Sequence, residues 1–172
     1  VVIKNTIFEK MRDKSLSIGE QSKLDIINCR FANSNYAIAV KDLSKVRIFG
    51  SSIYNNNFGI AVYRKKPIFG SGVVTVIGGL VWDNLRNFVP DENAKIVLDN
   101  TGLNKNIISN NIKKIKLRIG NINKEYKFDS NSNPIPVDKN KLSTSFLKGP
   151  ITNGKDLNGN YLPNLSKYNI GM

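Results

Sequence analysis

The sequence predicts an all-β chain built as a stacked solenoid, and three observations predict it. The first is a repeat of about 22 residues near the start. The segment Leu16-Ser17-Ile18-Gly19-Glu20-Gln21-Ser22-Lys23-Leu24-Asp25-Ile26 lies over Ile38-Ala39-Val40-Lys41-Asp42-Leu43-Ser44-Lys45-Val46-Arg47-Ile48. Apolar residues, the Ser-Lys pair and the acidic residue fall in register, and further on Phe31 meets Ile53 and Asn33 meets Asn55. The second is strand-like alternation inside the repeat. The third is a polar turn that closes each repeat: Asn33-Ser34-Asn35, Asn55-Asn56-Asn57 and Asp83-Asn84. A fixed period with alternation inside it marks rungs that bury their apolar faces only by stacking. Antiparallel hairpins in a sandwich do not require identical register at a fixed period.

The elements follow in order. A partial first rung spans residues 1–12, with Ile3, Ile7 and Phe8 as its apolar residues. The second spans 13–35 and the third 36–57. The fourth opens with Phe58-Gly59-Ile60-Ala61-Val62-Tyr63, where Ile60 and Val62 continue the columns Leu16/Ile38 and Ile18/Val40. An insertion of six residues follows, around Lys66-Pro67-Ile68-Phe69-Gly70; register returns with Val74 and Val76, 28 residues after Val46 and Ile48, and Val81 follows Ile53. Ile96 and Leu98, 22 residues beyond Val74 and Val76, make a last rung. Within a rung the pattern reads as a β-branched strand, a tight turn, a second strand and an Asn-rich turn. Asn suits the turns because it tolerates left-handed backbone and bonds to turn amides. Stacked turns can share side-chain amide bonds as a ladder.

Residues 1–100 are therefore expected to be solenoid rungs that continue from an upstream part, since Val1-Val2-Ile3 reads like the middle of a strand. Residues 101–172 are expected to hold C-terminal strands and a loop-rich cap. Asn106-Ile107-Ile108 and residues 112–119 alternate, Tyr126 and Phe128 mark another strand, and 129–172 is rich in Asn, Ser, Pro, Lys and Gly. A terminal rung left open would expose unpaired backbone, so a capping segment is physically expected.

Charge narrows the partners. Lys and Arg number 26 against 13 Asp and Glu, a net charge of +13. Residues 1–94 carry +5 and residues 95–172 carry +8. Such a balance favours anionic partners, although Lys also simply solvates surfaces. The alternating run Lys113-Lys114-Ile115-Lys116-Leu117-Arg118 reads as a strand face, and no zinc-binding, helix-turn-helix or RNA-binding motif accompanies it, so nucleic acid is not the expected partner. The chain has no His, which removes Ser-His and Cys-His catalysis and the commonest metal ligand. The one cysteine, Cys29, forms no intrachain disulfide and sits in an apolar rung as a small core residue. No apolar run reaches the length of a membrane-spanning helix.

Asp13-Lys14-Ser15-Leu16-Ser17-Ile18-Gly19-Glu20-Gln21-Ser22, Ile38-Ala39-Val40-Lys41-Asp42-Leu43-Ser44 and Gly59-Ile60-Ala61-Val62-Tyr63-Arg64-Lys65-Lys66 resemble a terminal-rung signature of bacterial β-helix repeat proteins, within the pectate-lyase-like superfamily. The resemblance covers roughly residues 1–98. It implies a right-handed parallel β-helix, an extracellular or cell-surface setting, and partners among acidic polysaccharides. The superfamily includes lyases, epimerases, hydrolases and non-catalytic adhesins.

The repeat also tells which residues face outward. Ser17, Ala39 and Ala61 form a column of small residues, beside Gly19, Lys41 and Tyr63. Then come Glu20, Asp42 and Arg64, and Gln21, Leu43 and Lys65. This reads as a shallow groove with polar walls. For β-elimination of a uronate, Lys41 or Arg64 is the candidate base and Tyr63 the candidate acid. Glu20 and Asp42 are candidate substrate contacts or a glycoside-hydrolase carboxylate pair. As Ca²⁺ ligands they fall short of the usual six to eight oxygens, and no cofactor or metal is otherwise expected. The competing reading is a charge ladder in which Glu20, Lys41, Asp42 and Arg64 neutralise one another across rungs. Tyr63-Arg64-Lys65-Lys66-Pro67 is basic, includes an aromatic and leads into the insertion, so Lys65 and Lys66 are candidate anion contacts. The leading expectation is a non-catalytic segment that contacts acidic polysaccharide; a polysaccharide lyase or epimerase is the alternative.

Overall fold

Each rung folds as three strands, one more than the alternation alone reveals. The computed structural model describes residues 1–99 and 101–103, together with four short strands between 115 and 136. The described residues contain strands and no helix. A rung is made by β3 (Lys14–Ile18), β4 (Lys23–Ile27) and β5 (Arg30–Ala32). The next is β6 (Tyr36–Lys41), β7 (Lys45–Phe49) and β8 (Ser52–Tyr54), then β9 (Phe58–Tyr63), β10 (Val73–Ile77) and β11 (Leu80–Trp82). Before them lie β1 (Val2–Lys4) and β2 (Ile7–Glu9), and after them β12 (Arg86–Pro90), β13 (Lys95–Asp99) and β14 (Gly102–Leu103). The third strand of a rung is three residues long, too short to display a period. It is split from the second by a corner at one left-handed residue: Asn28 (φ 51°), Gly50 (φ 52°) or Gly78 (φ 59°). Asn and Gly are the residues that reach this region at least cost.

Stacking the rungs generates three parallel sheets. Sheet A has the order β1-β4-β7-β10-β13-β15, sheet B β16-β14-β11-β8-β5-β2, and sheet C β12-β9-β6-β3, with β15 at Ile115–Leu117 and β16 at Ile122–Asn123. Parallel pairing excludes the sandwich of hairpins. The one antiparallel pair among the described residues joins β17 (Tyr126–Phe128) to β18 (Pro134–Pro136). Solenoid pairing passes beyond residue 100, through Ile96↔Ile115 and Gly102↔Ile122. Tyr126 and Phe128 fall in a strand as expected, whereas the Asn106–Ile108 segment lies outside the described residues, as does the 129–172 cap apart from Pro134–Pro136.

Register follows the repeat. Val46 pairs with Leu24 and Val74, and Ile48 with Ile26 and Val76. Ile96 and Leu98 pair with Val74 and Val76, and Val81 with Ile53. The insertion lies between β9 and β10, so it leaves the columns intact. These inward residues form one core across the three sheets, with Cys29 inside it. Ile26, Phe31, Ile38, Ile48, Ile53 and Ile60 are completely buried. Burying each such side chain contributes about 1.5–3 kcal/mol before the entropy cost of ordering the chain. Phe31 also stacks on Phe8 with ring centroids 4.8 Å apart.

The Asn-rich turns form the expected ladder, and it points inward. Asn56 Nδ2 donates to Phe31 O, Tyr54 O and Asn84 Oδ1 at 2.8–3.1 Å, while its Oδ1 accepts the Ser34 amide at 3.0 Å. Asn84 Oδ1 accepts the Asn56 amide, and Asn84 Nδ2 donates to Asn87 Oδ1 at 2.7 Å. Polar side chains at this corner are thus buried with their partners in adjacent rungs. The flanking Asn33, Asn55 and Asp83 carry the left-handed backbone, with φ of 49–55°.

Candidate functional site

Sheet C places the predicted groove residues on its outer face. Leu16, Ile38, Ile60 and Phe88 share one column, and Ile18, Val40 and Val62 another; apart from partly buried Leu16, all are buried core residues. Between these inward columns, Ser17, Ala39 and Ala61 align as the outward column, and Lys41 pairs with Tyr63 at the strand ends. The floor is less open than the repeat implies: Ser17 is exposed, but Ala39 and Ala61 are only 0 % and 1 % exposed.

One wall is a feature that sequence reasoning missed. Lys14, Tyr36, Phe58 and Arg86 align at the strand starts. Tyr36 and Phe58 stack with ring centroids 4.4 Å apart and planes at 22°. Lys14 Nζ sits 5.1 Å from the Tyr36 ring centroid, in cation–π range, and pairs with Asp13. Arg86 is exposed beyond Phe58. The result is a half-buried aromatic shelf with a cation at each end. Its signal was present in the sequence, since Lys14, Tyr36 and Phe58 are spaced 22 residues apart.

Lys41 and Tyr63 form the opposite wall. Lys41 Nζ donates to Ser17 Oγ at 2.8 Å, so its chain runs back over Gly19 toward the previous rung. Burial pushes the Tyr63 phenol above its ordinary value; Lys14 pulls it down, and Tyr36, Asp13 and Asp42 push it further up. The phenol therefore lies in electrostatic reach of Lys14 and Tyr36 on the far wall. Tyr63 remains a protonated hydrogen-bond donor at neutral pH.

The remaining candidates belong to the corner between sheets C and A. Asp42 is 2 % exposed, with φ of 52°, and its Oδ1 accepts the amides of Lys65 at 2.7 Å and Lys66 at 2.8 Å. Burial raises its carboxyl, but these amides with the Lys41 and Lys66 charges outweigh burial and hold it below the usual value. Glu20 is exposed and pairs with Lys66, which holds the Glu20 carboxyl down and the Lys66 ammonium up. The charge ladder expected among Glu20, Lys41, Asp42 and Arg64 thus takes another form. Glu20 reaches two rungs along to Lys66, and Asp42 binds backbone instead of side chains. Among the described residues no three His, Cys, Asp or Glu side chains gather as a metal-ligand group.

Arg64 and Lys65 project from the insertion and are exposed. The Arg64 amide donates to Asp91 Oδ2 at 2.7 Å, and Ser71 Oγ, at the far end of the insertion, donates to the same carboxylate. Asp91 and Ser71 were not among the sequence candidates; the insertion breaks the period at the place where the repeat would have aligned them. The structure thus brings Lys41 next to Tyr63 and Lys66 next to Glu20, while Arg64 and Lys65 stand past the strand end. Comparison with protein-family models, curated proteins and solved structures gives no match.

Proposed function

We propose that this chain is a non-catalytic segment of a right-handed parallel β-helix protein of pectate-lyase-like type. In this reading the protein is secreted or displayed on a bacterial surface, and the outer face of sheet C contacts acidic polysaccharide. The observation that carries the reading is the Tyr36–Phe58 shelf with Lys14 against it and Arg86 beyond it. Stacked on each other, with Lys14 over the free face of Tyr36, the rings offer their apolar edges to the C–H groups of a sugar, and the flanking cations pair with uronate carboxylates. Lys41, Tyr63 and Arg64 then act as binding donors, with Lys65 and Lys66 extending the basic surface along the insertion. Lys41 is already engaged with Ser17, and both candidate carboxylates have partners, which supports binding over turnover.

The lyase or epimerase reading draws on the pairing of Lys41 with Tyr63, a base candidate beside a protonated acid candidate. Incubation with polygalacturonate or alginate separates the two. Saturable, salt-sensitive binding with no unsaturated product supports the binding module. Rising ultraviolet absorbance that Lys41→Ala abolishes supports the lyase, and a change in uronate stereochemistry without chain cleavage supports the epimerase.

A further inference from the structure

Sheet A carries a second face whose charges the groove on sheet C does not use. Leu24, Val46, Val74 and Ile96 point into the core, so the residues before them point out. That outward column reads Lys23, Lys45, Val73, Lys95 in register. Lys23 and Lys45 are directly opposed on adjacent strands, about 4.8 Å apart along the stack. Both are exposed, and neither has an acidic partner among the described residues. Like charges directly opposite one another on a sheet are destabilising.

The next outward column explains how an anion would be received. Arg47 holds Asp25 with two hydrogen bonds, Nε to Oδ1 at 2.7 Å and Nη2 to Oδ2 at 2.6 Å. Thr75, paired in register with Arg47, adds a hydroxyl. Lys23, Asp25, Lys45, Arg47, Val73 and Thr75 all line a concave cavity of about 400 Å³. Asp25, the one carboxylate among the described residues lining this cavity, is neutralised by Arg47. We propose that this cavity binds a phosphate group, free or as a monoester. A phosphate monoester carries nearly two negative charges and three terminal acceptor oxygens. It can therefore accept from the two ammonium groups of Lys23 and Lys45, one rung apart, at once. Lys95, two rungs from Lys45 with Val73 between them, is too distant to share the same group.

The test is calorimetric titration of the intact chain with inorganic phosphate, glucose 6-phosphate and phosphatidic-acid vesicles, against acetate at matched ionic strength. The expected result is saturable phosphate binding that weakens at least tenfold in Lys23→Gln/Lys45→Gln and less than twofold in Lys95→Gln. Circular dichroism confirms that each variant folds. Tighter binding of the sugar phosphate or of the vesicles than of inorganic phosphate supports the site and assigns its carrier. The proposal is overturned by no saturable phosphate binding, by equal affinity for acetate, or by equal loss in Lys95→Gln, which would mark a diffuse ion atmosphere. Polygalacturonate binding should be unchanged in the double variant; loss of both ligands would also overturn it, as an effect of net charge.

Discussion

Asp42 and Asp91 hold the same loop from opposite sides. Asp42 accepts the amides of Lys65 and Lys66 from the rung before, and Asp91 accepts the Arg64 amide and the Ser71 hydroxyl from the rung after. The insertion at 64–72 is therefore fixed at both ends, although its tip residue Ile68 is 83 % exposed. Asp42→Ala leaves two amides without their acceptor, which costs about 1–3 kcal/mol for each such group that stays buried. A lowered urea midpoint and faster proteolysis within 64–72 are the expected outcomes.

The same clamps set an acid limit. In both residues burial alone would raise the carboxyl, and hydrogen bonds to the charged form outweigh it, so the folded pKa lies below the ordinary 3.8. The unfolded chain then takes up protons more readily than the folded one. Stability from this source is complete above that ordinary value and is lost as pH falls through the lower folded value. Thermal melts should show a decline below pH 4 that is smaller in Asp42→Asn, whose amide oxygen still accepts but does not titrate in that range.

The buried Asn ladder predicts a larger effect than surface polar residues give. Asn56→Ala removes an acceptor for the Ser34 amide and donors to Phe31 O, Tyr54 O and Asn84 Oδ1. A loss of at least about 2 kcal/mol is expected, since several buried groups lose partners at once. Denaturant unfolding checks it, with exposed Asn57→Ala, which loses a surface bond to Asn35, as the control.

Gly59 tests the tightness of sheet C. A Cβ there would stand 2.6 Å from the Asn87 carbonyl oxygen, closer than any real Cβ contact. Gly59→Ala should destabilise by about 1–3 kcal/mol, because backbone must move to admit the methyl group. Unfolding midpoints of Gly59→Ala and wild type decide this.

Much of this was legible because a solenoid writes its contacts as a period. Leu24, Val46, Val74 and Ile96 could be stacked from the sequence, even across the insertion, because side chains on parallel strands meet their equivalents. The short strands at Arg30–Ala32 and Ser52–Tyr54 were not legible, since three residues show no alternation and a single left-handed residue turns the corner before them. Of the site, the small-residue column and the Lys41–Tyr63 pair were readable. The burial of Asp42 was not, because a turn residue's direction depends on which amides the following rung presents. The aromatic shelf was spaced at the full period, yet it sits at the strand starts, away from the charged residues that mark chemistry.

Titration of polygalacturonate into wild-type chain and Tyr36→Ala, at two salt concentrations, tests the central claim most directly. The account predicts saturable binding by the wild type, weaker at high salt, and an affinity roughly 2- to 10-fold lower in the variant, the loss of about 0.5–1.5 kcal/mol that one aromatic contact gives. Absence of binding by the folded wild type, or unchanged affinity in Tyr36→Ala, would contradict it.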